Sequence, residues 1–247
     1  MTDQASQRVA LVTGGSRGIG AAIVQRLAED GFAVAINYAS SAAEADALAD
    51  GVRQAGGRAI AVRADVAKPD EVRAMFDAVQ AEYGRIDVLV NSAGVLDVKP
   101  LAETSDALYD RTFDINTRGT FNTMREAAAR LADGGSIVNV SSTTVALNLP
   151  GYSVYIASKA AVESLTQVFA KELRGRRITV NAVAPGPVAT ELFFKGKSPE
   201  LIEHYAKMPP LERLGQPDDI AGIVSFLAGP DSGWVNGQIV RANGGVA

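Results

Sequence analysis

Short apolar runs alternate with amphipathic segments along the whole chain of 247 residues, and this alternation constrains the fold most. Strands are predicted at residues 9–12, 33–36, 59–62, 88–90, 137–140, 178–183 and 239–240. Most of these runs are continuously apolar, which is typical of strands buried on both faces of a parallel sheet. Because strands that alternate with helices imply right-handed crossover connections, the pattern predicts an α/β fold with a doubly wound sheet.

Helical spacing fills the intervals between these runs. Ile19, Ile23 and Leu27 recur every four residues, and Gly31 follows them where a helix-ending glycine belongs. Further helices are predicted from Pro69, over about residues 104–131 and over about residues 152–174. Since no linker, repeat or low-complexity segment interrupts the pattern, we expect one domain over residues 1–247. Residues 191–210, the least regular stretch, are the candidate substrate loop.

Composition excludes several kinds of chemistry. The chain has no cysteine and a single histidine, His204, so disulfides, thiolate nucleophiles and Cys or multi-His metal sites are excluded, and no metal is predicted. Proton transfer near neutral pH must therefore use a Tyr, Lys, Asp or Glu whose pKa is tuned by its surroundings. We interpret His204 as a surface or packing residue.

Charge and hydropathy limit the partners and the location. The net charge is −4 and basic residues form no long run, which argues against a nucleic-acid partner. The longest apolar stretches, such as residues 220–228, are about half of the ~20 residues that span a bilayer, so no membrane contact is expected. Residues 1–7 lack the pattern of a signal peptide. These features predict a cytoplasmic protein.

A glycine-rich segment follows the first predicted strand. It reads Thr13-Gly-Gly-Ser-Arg-Gly-Ile-Gly20 and leads directly into the first helix. Glycines in this place let the backbone turn tightly and approach a pyrophosphate, and the helix adds free N–H groups and the positive end of its dipole. The alternative is an ordinary strand-to-helix turn. The residues of this turn that we predict to bind a dinucleotide are Gly14, Ser16, Arg17, Gly18, Ile19 and Gly20.

The end of the second strand indicates which dinucleotide is bound. An acidic residue there would bond the ribose 2′-OH of NAD(H), but the first acid in this region is Glu44, inside the next helix. Asn37, Tyr38 and Ser40 stand at the strand end instead, and Arg17 is available to pair with a 2′-phosphate. We therefore favour NADP(H) over NAD(H). The alternative for Arg17 is a solvated surface charge.

A tyrosine and a lysine follow the fifth predicted strand. Tyr155 and Lys159 are four residues apart, so they share one face of a helix. A neighbouring ammonium is expected to lower the tyrosine pKa from about 10, which would let Tyr155 exchange a proton with a carbonyl or alcohol oxygen. Ser142, just after the strand, would bond the same oxygen. Taken alone, such a pair is also compatible with a solvated helix surface.

Together, these motifs resemble those of the short-chain dehydrogenase/reductase family over essentially the full chain. The matching motifs are Thr13-Gly14-x-x-x-Gly18-x-Gly20, Asp65-Val66, Asn91-Ser92-Ala93-Gly94, Asn116, Ser142, Tyr155-x-x-x-Lys159 and Pro185-Gly186-x-x-x-Thr190. The resemblance implies a Rossmann fold, a three-layer αβα sandwich with a seven-stranded parallel sheet, and hydride transfer between nicotinamide and a carbonyl or alcohol carbon. Ser92 replaces the asparagine that the family commonly has, so a local rearrangement is expected.

The resemblance also implies roles for individual residues. Tyr155 would be the general acid/base, Lys159 would lower its pKa and bind the nicotinamide ribose, and Ser142 would polarise the substrate oxygen. Asn116 would bind a water that links Lys159 to solvent. Further cofactor contacts are implied for Asp65 and Val66 at the adenine, for Asn91, Ala93 and Gly94 along the cofactor, and for Pro185, Gly186, Val188 and Thr190 at the nicotinamide.

The substrate and the partners are less constrained. Candidate pocket residues are mostly apolar and favour a hydrophobic carbonyl compound: Val145, Leu147, Leu149, Tyr152, Pro187, Leu192, Phe193 and Phe194. Similar sequences include 3-oxoacyl-(acyl-carrier-protein) reductases, for which the candidate carrier-binding residues here are Arg125, Arg130, Arg174, Arg176 and Arg177, although charges that cap helix ends explain them equally well. A homotetramer is implied by resemblance. A non-catalytic NADP(H) sensor or scaffold is the alternative of another class, and the intact set of Ser, Tyr, Lys and Asn argues against it.

Overall fold

Parallel strands form the central sheet of the computed structural model, which describes residues 7–247. The strands are β1 Val9–Thr13, β2 Ala33–Tyr38, β3 Ala59–Arg63, β4 Val88–Asn91, β5 Ser136–Val140, β6 Thr179–Pro185 and β7 Ile239–Ala242. They lie in the order β3-β2-β1-β4-β5-β6-β7, and all neighbours are parallel. Every predicted strand is present, with ends within two residues of those expected. The predicted seven-stranded parallel sheet is confirmed.

Helices connect successive strands. They are α1 Gly18–Glu29, α2 Ala42–Gln54, α3 Pro69–Tyr83, α4 Asp106–Phe113, α5 Gly119–Arg130, α6 Thr144–Leu147, α7 Ser153–Glu172, α8 Glu191–Phe194, α9 Pro199–Lys207 and α10 Pro217–Ala228. As expected from the sequence, Gly31 follows the end of α1 with a left-handed φ of 91°. Within residues 7–247, no helix is both long and apolar enough to cross a membrane. The sequence prediction that residues 1–7 carry no signal peptide concerns residues 1–6 in the main, and these lie outside the described residues.

The sheet separates two apolar layers. Along β1, Ala10 faces the side covered by α1, α2 and α10, where it packs with Ile23, whereas Leu11 faces α3, α5 and α7 and packs with Phe76. Successive residues of a strand point to opposite faces, so a continuously apolar strand serves both layers. The three-layer αβα sandwich that the sequence predicted is confirmed.

The strand order reverses direction at β1, which lies between β2 and β4. At the carboxyl end of β1, Thr13 pairs with Asn91 of β4, and its hydroxyl accepts hydrogen bonds from the backbone N–H groups of Ser92 and Ala93 at 3.2 and 3.3 Å. A reversal of this kind opens a crevice at the carboxyl edge of the sheet, where ligands bind in open α/β folds. The glycine-rich turn and the loop after β4 line this crevice from its two sides.

The single helix predicted over residues 104–131 is interrupted. Between α4 and α5 lies the π-helical segment Asp114–Arg118, in which the Gly119 N–H reaches back five residues to the Asp114 carbonyl. A Cβ at Gly119 would lie 2.6 Å from Val66, so glycine permits close packing at this point. π-helical turns of this kind are common at functional sites, and this one contains Asn116.

Residues 191–210 contain two helices, so the prediction of an irregular stretch was wrong. The hydroxyl of Thr190 accepts a hydrogen bond from the backbone of Phe193 and begins α8, and Ser198 does the same for Leu201 at the start of α9. Pro199 occupies the first position of α9. A Ser followed by a Pro is a helix-start signal, and the prediction gave more weight to the Gly and Pro content of the stretch.

Candidate active site

The glycine-rich turn has a backbone that only glycine allows. Gly14 and Gly18 have left-handed φ angles of 61° and 55°. A Cβ at Gly14 would lie 2.7 Å from the Cα of Ala93, and one at Gly20 would collide with the Gly14 carbonyl oxygen. Within the described chain, no side chain caps the start of α1 and no acidic residue occupies its first turn. Free N–H groups and the positive end of the helix dipole therefore face the crevice.

Asn37 lies beneath this turn, at the wall of the crevice, and its side chain is almost fully buried. Its side chain is 2% exposed; Oδ1 accepts a hydrogen bond from the Gly14 N–H at 3.3 Å, and Nδ2 donates to the Ala64 carbonyl at 3.0 Å. Asn37 thus joins β2 to the turn and to the residue after β3. Because Asn37 also lines the cavity, its contact with a 2′-phosphate stays a prediction, although its amide already has partners inside the protein. Ser41 was missed; it lies at the rim beside Ser40 and precedes α2, as a helix-capping serine would.

A cavity of about 760 Å³ occupies the crevice, within the range typical of small-molecule sites. It begins at the glycine turn, passes the carboxyl ends of β4 and β5, and reaches the segment after β6. The predicted residues that line it are Gly14, Ser16, Arg17, Gly18, Ile19, Gly20, Asn37, Tyr38, Ser40, Asp65, Val66, Ala93, Gly94, Ser142, Tyr155, Lys159, Pro185, Gly186, Val188 and Thr190. Two predicted residues, Asn91 and Asn116, lie behind this lining.

Asn91 belongs to a buried polar network. Its Nδ2 donates to Asn139 Oδ1 at 2.8 Å, and its Oδ1 accepts from the Thr123 hydroxyl at 2.7 Å. Asn139 in turn donates to the Thr166 hydroxyl at 2.8 Å. The network joins β4 and β5 to α5 and α7. Asn91 was expected to line the path of the cofactor, but it lies behind the cavity lining, and its amide holds the sheet against these two helices.

Asn116 is fully buried next to Lys159. Its Oδ1 accepts from the Val95 N–H at 2.8 Å, and its Nδ2 donates to the Val95 carbonyl and to the Ser158 hydroxyl, each at 3.0 Å. A Cβ at Gly94 would lie 3.4 Å from Asn116 Oδ1 and 3.5 Å from Lys159 Nζ, so the three residues adjoin. Asn116 therefore ties the π-helical segment both to the loop after β4 and to α7.

Ser142, Tyr155 and Lys159 come together at one side of the cavity. Lys159 Nζ donates to the Val140 carbonyl at 2.7 Å and lies 5.9 Å from the centre of the Tyr155 ring. The Ser142 hydroxyl accepts a hydrogen bond from the Thr144 hydroxyl at 2.9 Å. The turn of α7 that separates Tyr155 from Lys159 puts both on the face toward β5. The predicted convergence of serine, tyrosine and lysine is present.

Burial decides the protonation of this cluster. It raises the pKa of Tyr155, because a phenolate loses more solvation than a phenol, and a hydrogen bond with Ser142 opposes that rise. Burial also lowers the pKa of Lys159 to about 8. The lowering of the Tyr155 pKa that was expected from Lys159 is thus not found, because burial dominates the shift and the opposing contribution comes from Ser142. Near neutral pH, Tyr155 keeps its proton.

The substrate side of the cavity is only partly as predicted. Leu147, Leu149, Tyr152, Pro187, Leu192 and Phe193 line it, whereas Val145 and Phe194 lie outside its lining. His204 is exposed outside the lining, in agreement with its prediction as a surface residue. The sequence prediction missed the charged and polar residues Asp97, Arg111, Glu191, Lys195, Lys197 and Tyr205. Asp97 accepts a hydrogen bond from Arg111 at 3.1 Å and lies 3.8 Å from Lys195. Charge in this region is therefore largely paired at the mouth of the cavity.

The candidate carrier-binding arginines lie mainly at the opposite edge of the sheet. Arg130 ends α5, just before β5 begins, and pairs with Asp77 and Glu126. Arg176 lies just before β6 and pairs with Asp133 at 2.7 Å. Because helices in this fold run antiparallel to the strands, their ends lie at the amino edge, away from the cavity. None of the five candidate arginines lines the cavity, and in the single chain Arg130 and Arg176 do not lie beside the site mouth as expected.

Comparisons with known proteins agree on one family. A family model described as "Enoyl-(Acyl carrier protein) reductase" matches residues 14–247. The chain is 48% identical over 248 residues to a "Short-chain type dehydrogenase/reductase" of Picea abies, covering 96% of this chain and 92% of the relative. It is also 48% identical over 253 residues to an "NADPH-dependent aldehyde reductase-like protein, chloroplastic" of Arabidopsis thaliana, covering 96% and 93%. A solved "blue fluorescent protein from metagenomic library in complex with NADPH" superposes with a TM-score of 0.93 at 40% identity, covering 99% and 100%.

Proposed function

Because the chain belongs to the short-chain dehydrogenase/reductase family, we propose that it is an NADPH-dependent reductase of aldehydes or ketones. One observation carries the proposal: Ser142, Tyr155 and Lys159 line the same cavity as the glycine-rich turn. A proton donor and a dinucleotide cradle thereby share one chamber. The relative named an NADPH-dependent aldehyde reductase-like protein supports both the cofactor and the substrate class.

The residues present fit NADP(H). The turn over Gly14 to Gly20 would hold the pyrophosphate, since a Cβ at either of these glycines would strike backbone. Arg17, Ser40 and Ser41 at the rim would hold the 2′-phosphate, because a guanidinium and hydroxyls suit a phosphate and no carboxylate in the cavity lining adjoins them in sequence. When bound, NADPH supplies the hydride that the carbonyl carbon receives. The remaining cofactor residues predicted from the sequence keep their proposed roles, except for Asn91, which lies behind the cavity lining.

Tyr155 is proposed to donate the proton. Its raised pKa keeps the phenol protonated near neutral pH, which is the form that can transfer a proton to a carbonyl oxygen. The Ser142 hydroxyl would bond the same oxygen and polarise the carbonyl. The Lys159 ammonium, charged below a pKa of about 8, would stabilise the phenolate that remains after the transfer.

The proton is proposed to return to Tyr155 through Lys159. Asn116, which adjoins Lys159, would hold a water that continues this path to solvent. Both Nδ2 hydrogens of Asn116 are used by Val95 and Ser158, so this water would contact an oxygen of Asn116. The position of Gly94 supports this proposed proton path. Because Gly94 has no side chain, nothing separates Asn116 from Lys159 at this point.

The test is NADPH oxidation by the purified chain with a panel of aldehydes and ketones. Wild type should turn over at least one class, and Tyr155→Phe should lose about 100-fold or more in kcat while binding NADPH as wild type does. NADPH binding is followed by fluorescence titration. Equal turnover by both proteins would contradict the tyrosine mechanism. NADPH binding without turnover of any carbonyl would favour a sensor or scaffold.

Carrier-bound 3-oxoacyl substrates have weaker structural support than small carbonyl compounds. In the single chain, the end of α5 with Arg130 and the segment after α7 with Arg176 lie away from the cavity, and both arginines are used in ion pairs. We propose that the substrate is a small carbonyl compound with an apolar body. We also propose that the chain is one domain and that residues 191–210 form the loop beneath which the substrate enters. Comparing turnover of an acyl-carrier thioester with that of an aryl ketone tests this choice.

We also propose a homotetramer. Large apolar side chains are exposed on two separate surfaces: Phe121 of α5 and Val168 of α7 on one, and Phe226 of α10 and Trp234 on the other. Exposed apolar groups of this size mark contact surfaces, and two such surfaces can build a closed tetramer. Light scattering after size-exclusion chromatography measures the assembly, and a monomeric mass would contradict it. Cytoplasmic location stays a prediction from composition.

A further inference from the structure

A pair of tyrosine hydroxyls joins the substrate loop to the catalytic helix. Tyr205 lies on α9, and Tyr152 immediately precedes α7; their hydroxyl oxygens are 3.3 Å apart. Within residues 7–247, this is the one side-chain hydrogen bond between α9 and the rest of the chain, because the hydroxyl of Ser198 and the Lys207–Glu203 pair bond within or next to the helix. The contact is therefore a fastening point for α9.

The pair continues an aromatic series that begins at the catalytic tyrosine. The Tyr152 ring is 7% exposed and meets the Tyr155 ring edge-on, with centres 6.5 Å apart. The Tyr205 ring meets Phe193 of α8 edge-on at 5.6 Å. Tyr152, Tyr155, Phe193 and Tyr205 all line the cavity. A change in the position of Tyr205 would thus change the positions of Phe193 in the cavity wall and of Tyr152, which contacts Tyr155.

The rest of α9 offers little to hold it. None of its residues is buried, Leu201 is exposed, and Gly196 and Pro209-Pro210 flank the helix. A short exposed helix gains most of its stability from tertiary contacts rather than from its own propensity. Burial, together with the bond to Tyr205, raises the pKa of Tyr152, so its hydroxyl stays protonated and able to donate.

We propose that Tyr205 is a specificity-determining residue: through its hydroxyl bond to Tyr152, it fastens α9 above Tyr155 and so orients bulky carbonyl substrates. The inference rests on the proposed reductase function. A small aldehyde reaches Tyr155 without filling the space under α9, whereas a bulky ketone needs that wall in place. Loosening the wall should therefore raise the KM of a bulky ketone more than that of a small aldehyde.

The kinetic test compares Tyr152→Phe, Tyr205→Phe and the double variant, using NADPH with 1-tetralone and propanal. Each single variant should raise the KM for 1-tetralone about threefold to tenfold, with a smaller rise for propanal. Because both variants remove the same bond, the double variant should be no worse than either single one. Tyr83→Phe is the matched control; its hydroxyl bonds the Val34 carbonyl at 3.4 Å, away from the cavity, so its KM values should equal those of wild type.

Hydrogen exchange of peptides that cover residues 198–207 gives a readout independent of turnover. Both single variants should exchange faster than wild type there, with the unfolding temperature unchanged, and Tyr83→Phe should not. Additive losses in the double variant, or unchanged KM and exchange in Tyr205→Phe, would overturn the role of the pair. If wild type reduces no carbonyl, the proposed function fails, but the exchange experiment still decides whether the hydroxyl bond holds α9.

Discussion

The two ends of the cavity are built from different materials. At the cofactor end, the surface is backbone and short side chains, and Gly14 and Gly20 leave no room for a Cβ. At the substrate end, the surface is made of long side chains from short helices and loops, among them Leu147, Phe193 and Tyr205, together with the ion cluster around Asp97. A backbone cradle accepts one ligand shape, whereas side chains on short helices can change without disturbing the sheet. We infer that the cofactor end is intolerant of substitution and that the substrate end sets specificity.

Ser142, Tyr155 and Lys159 lie where the two ends meet. They are supplied by β5 and α7, which the buried Asn91–Asn139–Thr166 network holds together. The proton donor is thus attached to the rigid part of the molecule, and only the substrate is positioned by the less firmly held part. The following predictions test this division, from the largest expected effect to the smallest.

The cofactor end should lose affinity for NADPH when a single methyl group is added to the glycine-rich turn. Gly20→Ala places a Cβ against the Gly14 carbonyl, so the turn must open, and NADPH affinity should fall roughly 10- to 100-fold. Gly222→Ala is the matched control, because a Cβ there meets only the end of the Arg26 side chain at 3.8 Å. Fluorescence titration with NADPH measures both. If Gly20→Ala bound NADPH as tightly as wild type does, the inference that the cofactor end is intolerant of substitution would be wrong.

The positive charge of Arg17 at the rim should make the chain bind NADPH more tightly than NADH. Arg17→Ala should weaken NADPH binding about tenfold, since a charge-assisted bond to the 2′-phosphate is lost, and should leave NADH binding unchanged. Arg26→Ala, which removes an exposed pair with Asp30 on the same helix, is the control. Equal losses for the two dinucleotides would show that Arg17 does not recognise the 2′-phosphate.

The rate of carbonyl reduction should depend on pH through Lys159, which lies where the two ends of the cavity meet. Its pKa of about 8 means that the ammonium is present below pH 8 and lost as the pH rises through it. Carbonyl reduction, measured as kcat/KM against pH, should therefore fall above pH 8, by about tenfold per unit at most, because the phenolate left on Tyr155 loses its counter-charge. In Lys159→Met the whole profile should be low and should lack this step. An unchanged step in Lys159→Met would assign it to another group.

The smallest effect is expected at the mouth of the substrate end. Asp97→Asn weakens the contacts with Arg111 and Lys195, and exposed pairs of this kind contribute at most about 1 kcal/mol. The KM for 1-tetralone should rise no more than about fivefold, with NADPH affinity unchanged. Asp133→Asn, which weakens a similar pair with Arg176 at the opposite edge, should change neither constant. A loss of NADPH affinity in Asp97→Asn would mean that the two ends are coupled.

Local patterns predicted most of the framework. The strands, the helix from Pro69 and the turn over Gly14 to Gly20 depend on residues that are close in sequence, so periodicity and glycine geometry were sufficient to find them. Tyr155 and Lys159 were found for the same reason, because four residues on one helix make neighbours. The helices α8 and α9 carry equally local signals, in the capping residues Thr190 and Ser198, which the Gly and Pro content outweighed.

The order of strands and helices along the chain, the glycine-rich turn and the candidate proton donor could all be read from the sequence, since each is encoded within a few residues of chain. The tertiary structure decided which polar side chains face the cavity and which are used inside. Asn37 donates to the Ala64 carbonyl after the neighbouring strand β3, and Asn91 accepts from Thr123 of α5, so both amides have partners within the protein. The tertiary structure also set the pKa of Tyr155 and brought Tyr205 to Tyr152. Burial and hydrogen-bond partners depend on segments far apart in the chain, and only folding brings them together.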